Sequence, residues 1–447
     1  MPLSRMLGVV SRTTLLPSQA ARHAPLAILP NGVLIRSALI AAISSKRLLL
    51  LPSLKLLSFF SKPDRGFMLH PEKNPFIHVL LKKTFYNQFC AGETRAQAKQ
   101  CVKALKDLGF KGVILTYARE TVFDNDSKSG NMQGVEEVED KEATSSKASF
   151  CPSIEEWRVG TLKTIELIAE GDMLALKMTG AGSKVTAAFV AEQTVPQQFL
   201  DALDEICAAC KARSIRIIVD GESQHFQKGI AATTLQLMNR FNRDGSAIIF
   251  NTYQAYLKHT PKVIAEHLEV ASQEGFTLGL KLVRGAYMLS DDRSLIHDTK
   301  QETDDAYNHI TTGALKQQIG DFGQSGSKPF PSVNLFLASH NKQSVIGAHR
   351  LHQERIRQGL PTVPVGFAQL HGMSDQVSFQ LLSEKGECGV PPEVFKCSTW
   401  GSMAECLAYM LRRAVENRDA VLRTTDELTA LKSELWRRIK SGALFVR

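Results

Sequence analysis

The first 63 residues contain no aspartate or glutamate. They hold eight of the 54 Lys and Arg, so residues 64–447, with 46 basic against 45 acidic side chains, have a net charge of only +1. The formal charge of +9 therefore belongs to the N-terminus, and the body of the chain has no excess charge for a nucleic-acid surface. An apolar run of the ~20 residues that cross a membrane is also missing. Of the two candidates, Gly32–Ser45 is interrupted by Arg36, and Leu48–Phe60 by Pro52 and Lys55. The eight cysteines require no disulfides, which fits a reducing compartment. Cys207 and Cys210 form a CxxC inside a helical pattern with no second pair or His partner, which favours helix packing over zinc or dithiol chemistry. A dinucleotide-binding fingerprint is absent too. Gly180-Ala181-Gly182 lacks the third glycine and opens no convincing helix.

What the N-terminus does have is Arg, Ser and Leu, the composition of a mitochondrial presequence, with Arg5, Arg12 and Arg22 punctuating apolar stretches. Residues 1–63 are expected to be a targeting segment that could also associate with a membrane surface. Residues 64–110 read as a helical lead-in, in which Ala96, Ala98, Val102, Leu105 and Leu108 recur at helical spacing within Thr94–Leu108. From residue 111 onward, short apolar strands alternate with amphipathic helices eight times. This count predicts a closed parallel (β/α)8 barrel, with an open doubly wound sheet as the alternative. Residues 124–149, rich in Asp, Glu, Ser, Lys and Gly and poor in large apolar side chains, are expected to be a disordered insertion. The last amphipathic helix is expected at Glu427–Lys440.

The stretch Leu278–Met288 begins like a buried parallel strand, yet carries Lys281 in its middle and Arg284 at its end. An unpaired cation there would be costly, so an anion or an electron-rich ring is expected at the strand's C-terminal end. Gly285 and Ala286 allow close backbone approach. Other predicted strand ends supply Glu120, Lys177, Asp220, Gln254, Ser339 with His340, and His371. In a barrel such ends form the active site. Late in the chain, Tyr409, Arg412, Arg413 and Glu416 fall on one broad helix face. Two adjacent guanidinium groups suit a carboxylate, and Lys177 could bind the same group as a point charge.

These stretches resemble the proline dehydrogenase family: Lys281-Leu282-Val283-Arg284-Gly285-Ala286-Tyr287, Asn251-Thr252-Tyr253-Gln254, Ala338-Ser339-His340-Asn341, Leu370-His371-Gly372-Met373 and Tyr409-x-x-Arg412-Arg413-x-x-Glu416-Asn417, in the same order. The resemblance runs from about Phe89 to the C-terminus, and the 124–149 insertion lies outside it. It implies a distorted barrel over residues 111–447 that binds FAD non-covalently above the strand ends. It implies that L-proline is oxidised to Δ1-pyrroline-5-carboxylate, with electrons passed to a membrane quinone from the matrix side of the mitochondrial inner membrane. By the same resemblance, Lys177, Arg412 and Arg413 clamp the substrate carboxylate, Glu120 ion-pairs with the clamp, and Asp220 and Leu370 line the site. Gln254, Lys281, Arg284, Gly285, Ala286, Tyr287, Thr303, Ser339, His340, Asn341 and Glu416 belong to the flavin-contacting stretches.

Cys397 departs from the pattern, because proline-specific members usually carry Tyr there. Members acting on trans-4-hydroxy-L-proline resemble this chain in having a small residue. Cys397, with Leu370 and Tyr409, is thus a candidate specificity position, although a neutral replacement is an equally simple reading. Two other classes stay open from the residues alone: a Schiff-base lyase using Lys177 or Lys281 without a flavin, and a non-catalytic barrel.

Overall fold

The computed structural model describes residues 25–60, 70–117, 122–123, 132–133, 150–288, 290–325, 327–384, 391–416 and 421–444. Eight parallel strands form its centre: β1 (Gly112–Tyr117), β2 (Met173–Leu176), β3 (Arg216–Val219), β4 (Ile249–Gln254), β5 (Leu278–Val283), β6 (Val333–Ala338), β7 (Val365–Leu370) and β8 (Glu393–Trp400). Each pairs with the next, and β8 pairs with β1, so the sheet closes into the expected barrel. A short strand, Cys90–Gly92, adds to the outer end of β8.

Strand register shows why the barrel is solid below and polar above. Ile114, Met173, Ala175, Ile218, Phe250, Phe336, Ala368 and Phe395 fill its interior. Strands alternate in period two, so the inward set continues upward to Thr116, Lys177, Asp220, Thr252, Lys281, Ala338, Leu370 and Cys397. The leucines of β5 (Leu278, Leu280, Leu282) face the helices instead, within the outer core. That leaves Lys281 on the inner face.

The helices following β1 to β7 are α1 (Pro152–Ile165), α2 (Gln197–Ala212), α3 (Gln224–Phe241), α4 (Thr260–Glu274), α5 (Lys300–Lys316), α6 (Lys342–Arg357) and α7 (Asp375–Ser383). Cys207 and Cys210 are buried in α2, as packing residues. The eighth unit is irregular. The wall beside β1 is covered by helix Arg95–Asp107, which precedes it in the chain. Helix α8 (Met403–Glu416) packs instead on helix Arg47–Phe60 and the Lys82–Tyr86 turn. Its apolar face of Met403, Cys406, Leu407 and Met410 closes a separate cluster with Leu57, Leu81, Tyr86 and Cys90.

Within the 1–63 segment expected to be a targeting sequence, residues 25–60 are folded. Pro25–Ile28 and helix Asn31–Ser44 pack on the terminal helix Val421–Lys440. Arg438, 5% exposed, donates to the carbonyls of Leu26 and Ala27 (both 3.1 Å), to Asn31 Oδ1 (2.6 Å) and to Glu434 (2.7 Å). Residues 1–24 and nearly all of 124–149 lie outside the described residues; within the latter, Met132–Gln133 pairs antiparallel with Val122–Phe123. Among the described residues, no helix is long and apolar enough to cross a membrane.

Candidate active site

The anion that Lys281 meets is Asp220. Its carboxylate, at the end of β3, accepts from Lys281 Nζ at 2.8 Å and lies 3.5 Å from Lys177 Nζ. The three side chains are 11–18% exposed. Two ammonium groups meet one carboxylate at the inner rim, in a setting where screening by water is weak. A nearby acid contributes to the geometry without a clear sequence signal. Glu222, 1% exposed, accepts from Thr179 N at 3.2 Å and from the Thr179 hydroxyl, tying down the turn that follows Lys177. Its backbone carbonyl takes the Gln254 amide at 2.9 Å.

On the neighbouring strands the donors are held equally firmly. Arg284 Nε donates to Asp304 at 2.6 Å, its Nη1 to Ser339 Oγ, its Nη2 to Ser344 Oγ at 2.9 Å, and its guanidinium lies 4.2 Å from the Tyr307 ring centre. Burial by itself would raise the Asp304 carboxyl, but the hydrogen bonds from Lys300 and Arg284 outweigh it and hold the group below the usual carboxylate range. Thr303, buried in the first turn of α5, bonds back to Thr299 O at 3.4 Å. Asn341 accepts from Ser344 N at 3.1 Å, so it caps α6, while its own N–H donates to Ser339 Oγ. His340 is half-buried beside it.

The loop after β5 is shaped by one contact. Gly285 has φ +145°, and a Cβ there would stand 2.2 Å from the Tyr256 ring. Tyr256 in turn donates to Asp291 Oδ2 at 2.6 Å, and the other oxygen of Asp291 accepts from Ser223 Oγ at 2.8 Å and Gln224 N at 3.0 Å. The path through Gly285, Ala286 and Tyr287 is thereby fixed against β3 and β4.

Across the barrel the surface changes character. Leu370 and Cys397 are register partners on β7 and β8, and with Ala338 they form an apolar rim. Behind them, His371 pairs with Ser398 Oγ at 3.0 Å, and burial, with Lys396 nearby, lowers its pKa to about 4, so the ring is neutral. Lys396, 1% exposed, faces outward to Asp375 at 2.7 Å and Met373 O at 2.9 Å, anchoring the β7–α7 loop.

The structure thus brings Lys177, Asp220, Gln254, Lys281, Arg284, Ser339, Leu370 and Cys397 to one end of one barrel. Tyr409, half-buried, packs against the cluster beneath α8. Positions 412, 413 and 416 lie on α8; their side chains, and all of Glu120, lie outside the described residues.

A closed parallel barrel with fixed, ion-paired cations at the C-terminal strand ends has the layout of a barrel-enzyme site. The family profile described as proline dehydrogenase matches residues 98–425, and the chain belongs to that family. A probable mitochondrial proline dehydrogenase of Schizosaccharomyces pombe is 28% identical over 446 residues, covering 91% of this chain and 88% of the relative. A hydroxyproline dehydrogenase of Mus musculus is 29% identical over 395 residues, covering 81% and 83%. The mitochondrial proline dehydrogenase 1 of Homo sapiens is 34% identical over 272 residues, covering 60% of this chain and 44% of the relative. Among solved structures, proline utilization A from Bdellovibrio bacteriovorus superimposes with a TM-score of 0.60 at 16% identity, a likeness of fold. That match covers 82% of this chain, which spans only 36% of the longer protein.

Proposed function

We propose that the chain is a mitochondrial flavoenzyme that oxidises L-proline at C5 to Δ1-pyrroline-5-carboxylate, with a membrane quinone as final electron acceptor on the matrix side of the inner membrane. The observation that carries this reading is the Lys177–Asp220–Lys281 group, two cations gathered on one carboxylate inside a barrel mouth. The residues fit FAD. Gln254, Lys281 and Arg284 with Ser339 present donors along three neighbouring strands, a row of about 10 Å at normal strand spacing. The backbone at Gly285 has no Cβ, and none would fit. When bound, FAD would supply the hydride acceptor.

The chain's own residues do the rest. Lys177, with Arg412 and Arg413, holds the substrate carboxylate, so that C5 is presented to the cofactor as a near-attack conformer. Lys281 and Arg284 stabilise negative charge that develops beside them. Glu120 pairs with the clamp, and Glu416 joins the cofactor contacts. Leu370 and Cys397 pack on the ring of the substrate. The amine must be neutral when hydride leaves, so turnover rises with pH into the weakly alkaline range. A Schiff-base lysine works as a free amine in a desolvated pocket, whereas here both ammonium groups face one carboxylate.

The test is Arg412→Met and Arg413→Met in the purified protein. Each should raise the KM for proline greatly while FAD absorbance is retained. Turnover of proline equal to the parent's would defeat the clamp assignment.

A second reading is favoured by one observation: Cys397, level with Leu370, gives the apolar rim a small side chain. A hydroxyl at C4 would find room there, making trans-4-hydroxy-L-proline the alternative substrate.

A further inference from the structure

Eighteen large apolar side chains are exposed among the described residues, and ten of them lie between Ile28 and Leu80. This concentration is not the scatter expected of an ordinary surface. Helix Arg47–Phe60 turns Leu50, Leu54 and Leu57 inward. Its opposite side leaves Leu48 90%, Leu56 54%, Leu49 47% and Leu51 46% exposed. Helix Pro75–Leu81 repeats the pattern: Leu81 is buried, while Phe76 is 85% and Leu80 62% exposed. Both helices contribute to the same apolar cluster, through Leu57 in one and Ile77 and Leu81 in the other.

A helix apolar on both faces has two apolar environments to fill. The protein fills one. The charge pattern points to what fills the other: no acid occurs from residue 25 to 60, and Lys46, Arg47 and Lys55 are exposed on the outer side. We propose that helices Arg47–Phe60 and Pro75–Leu81 form an interfacial platform that inserts Leu48, Leu51, Phe76 and Leu80 among the acyl chains of an anionic bilayer. Lys46 and Lys55 reach the headgroups with their ammonium groups while their stems stay with the leucines. Pro52 is compatible with this position, because the carbonyl of Leu48 that it leaves unbonded lies on the exposed side, within reach of interfacial water. Helix α8 packs on helix Arg47–Phe60, so the platform is built on the element that carries Arg412 and Arg413. The inference deepens the proposed reading by naming the surface that would bring a membrane quinone within reach. It can fail separately, since vesicle binding is measured without proline.

The experiment is co-sedimentation of the full chain, loaded with FAD, with vesicles of phosphatidylcholine alone or mixed with an anionic phospholipid. The parent should sediment with the mixed vesicles and less with the neutral ones. Leu48→Asp/Leu51→Asp should reduce partitioning about 100-fold, roughly tenfold for each leucine withdrawn, with an unchanged melting temperature. Lys46→Glu/Lys55→Glu, wholly on the surface, should weaken binding only to the anionic vesicles and serves if the leucine variant is unstable. A parent that stays in the supernatant, or a leucine variant that binds as the parent does, would overturn the proposal. So would a parent that runs as a dimer in gel filtration and a leucine variant that runs as a monomer, because a second copy would then be the occupant.

Discussion

Gly285→Ala is the sharpest local test of how the loop after β5 is built. The added Cβ would lie 2.2 Å from Tyr256 Cδ1 and 2.4 Å from Cε1. The ring cannot swing aside easily, because Tyr256 is 2% exposed and its hydroxyl is bound to Asp291 at 2.6 Å. Overpacking of this kind costs about 1–3 kcal/mol. Holding alanine at φ +145° adds about 1–3 kcal/mol more. The expected loss is therefore about 2–6 kcal/mol, a large share of the roughly 5–15 kcal/mol that keeps a domain folded. The assay is the denaturant midpoint of the apoprotein, paired with titration of FAD into each variant. Tyr256→Leu separates the two contributions. It removes the ring but not the backbone strain, so the double variant should be about 1–3 kcal/mol better than the sum of the singles. FAD affinity should fall in Gly285→Ala and recover in part in the double variant. Additivity within about 0.5 kcal/mol would show that the ring does not dictate glycine here.

Three further outcomes follow from other parts of the site. Cys397→Tyr should shift the ratio of kcat/KM for L-proline over trans-4-hydroxy-L-proline toward proline by roughly 10-fold or more; an unmoved ratio would remove Cys397 as a determinant. Asp375→Ala strands the buried ammonium of Lys396 and should cost about 3–5 kcal/mol in denaturant stability, whereas Lys396→Met/Asp375→Leu should cost much less. Burial lowers His267 and His371 to about 4, below the 6.5 of the unfolded chain, so the unfolded state binds more protons between those values. Stability should therefore be fully present above pH ~6.5 and fall as pH drops toward 4, by up to about 3 kcal/mol per histidine; His267→Gln should flatten that slope, read as midpoint against pH.

The strand at Leu278 was legible because a lysine breaks an apolar run only where something compensates it. The compensating group was not, since Asp220 lies 61 residues away and nothing local to either residue announces the pair. Glu222 escaped for a similar reason: an acid two residues beyond a strand end looks like any loop acid until Thr179 is brought against it. The strand carrying Cys397 is eight residues long although Lys396 interrupts its apolar run, and Lys396 is a buried ion-pair member. Helical periodicity located α8 and its apolar face but could not say that the face meets Leu57 and Tyr86 instead of the barrel wall. At Leu48–Phe60, Pro52 and Lys55 do keep the apolar run short of a span, yet the structure carries both within one 14-residue helix. Both sit on its open side, where a missing donor and a charge cost little.

The two irregularities of this barrel have a common consequence. Its charged inner rim belongs to β2 through β5, with Lys177, Asp220 and Lys281, and its apolar inner rim to β6 through β8, with Ala338, Leu370 and Cys397. A small amino acid entering such a mouth is oriented before any specific contact forms. Its carboxylate is drawn to one side and its ring carbons are left to the other. A regular eighth helix lying flat on the wall would add nothing to this polarity. Here helix Arg95–Asp107 covers β1, and α8 is packed on the lead-in helices instead. The element that carries positions 412, 413 and 416 is thus set by the helices it packs on and not by the barrel wall. If α8 carries the proposed clamp, loosening Leu57 or Leu81 in the cluster beneath it should raise the KM for substrate without touching a residue of the barrel mouth.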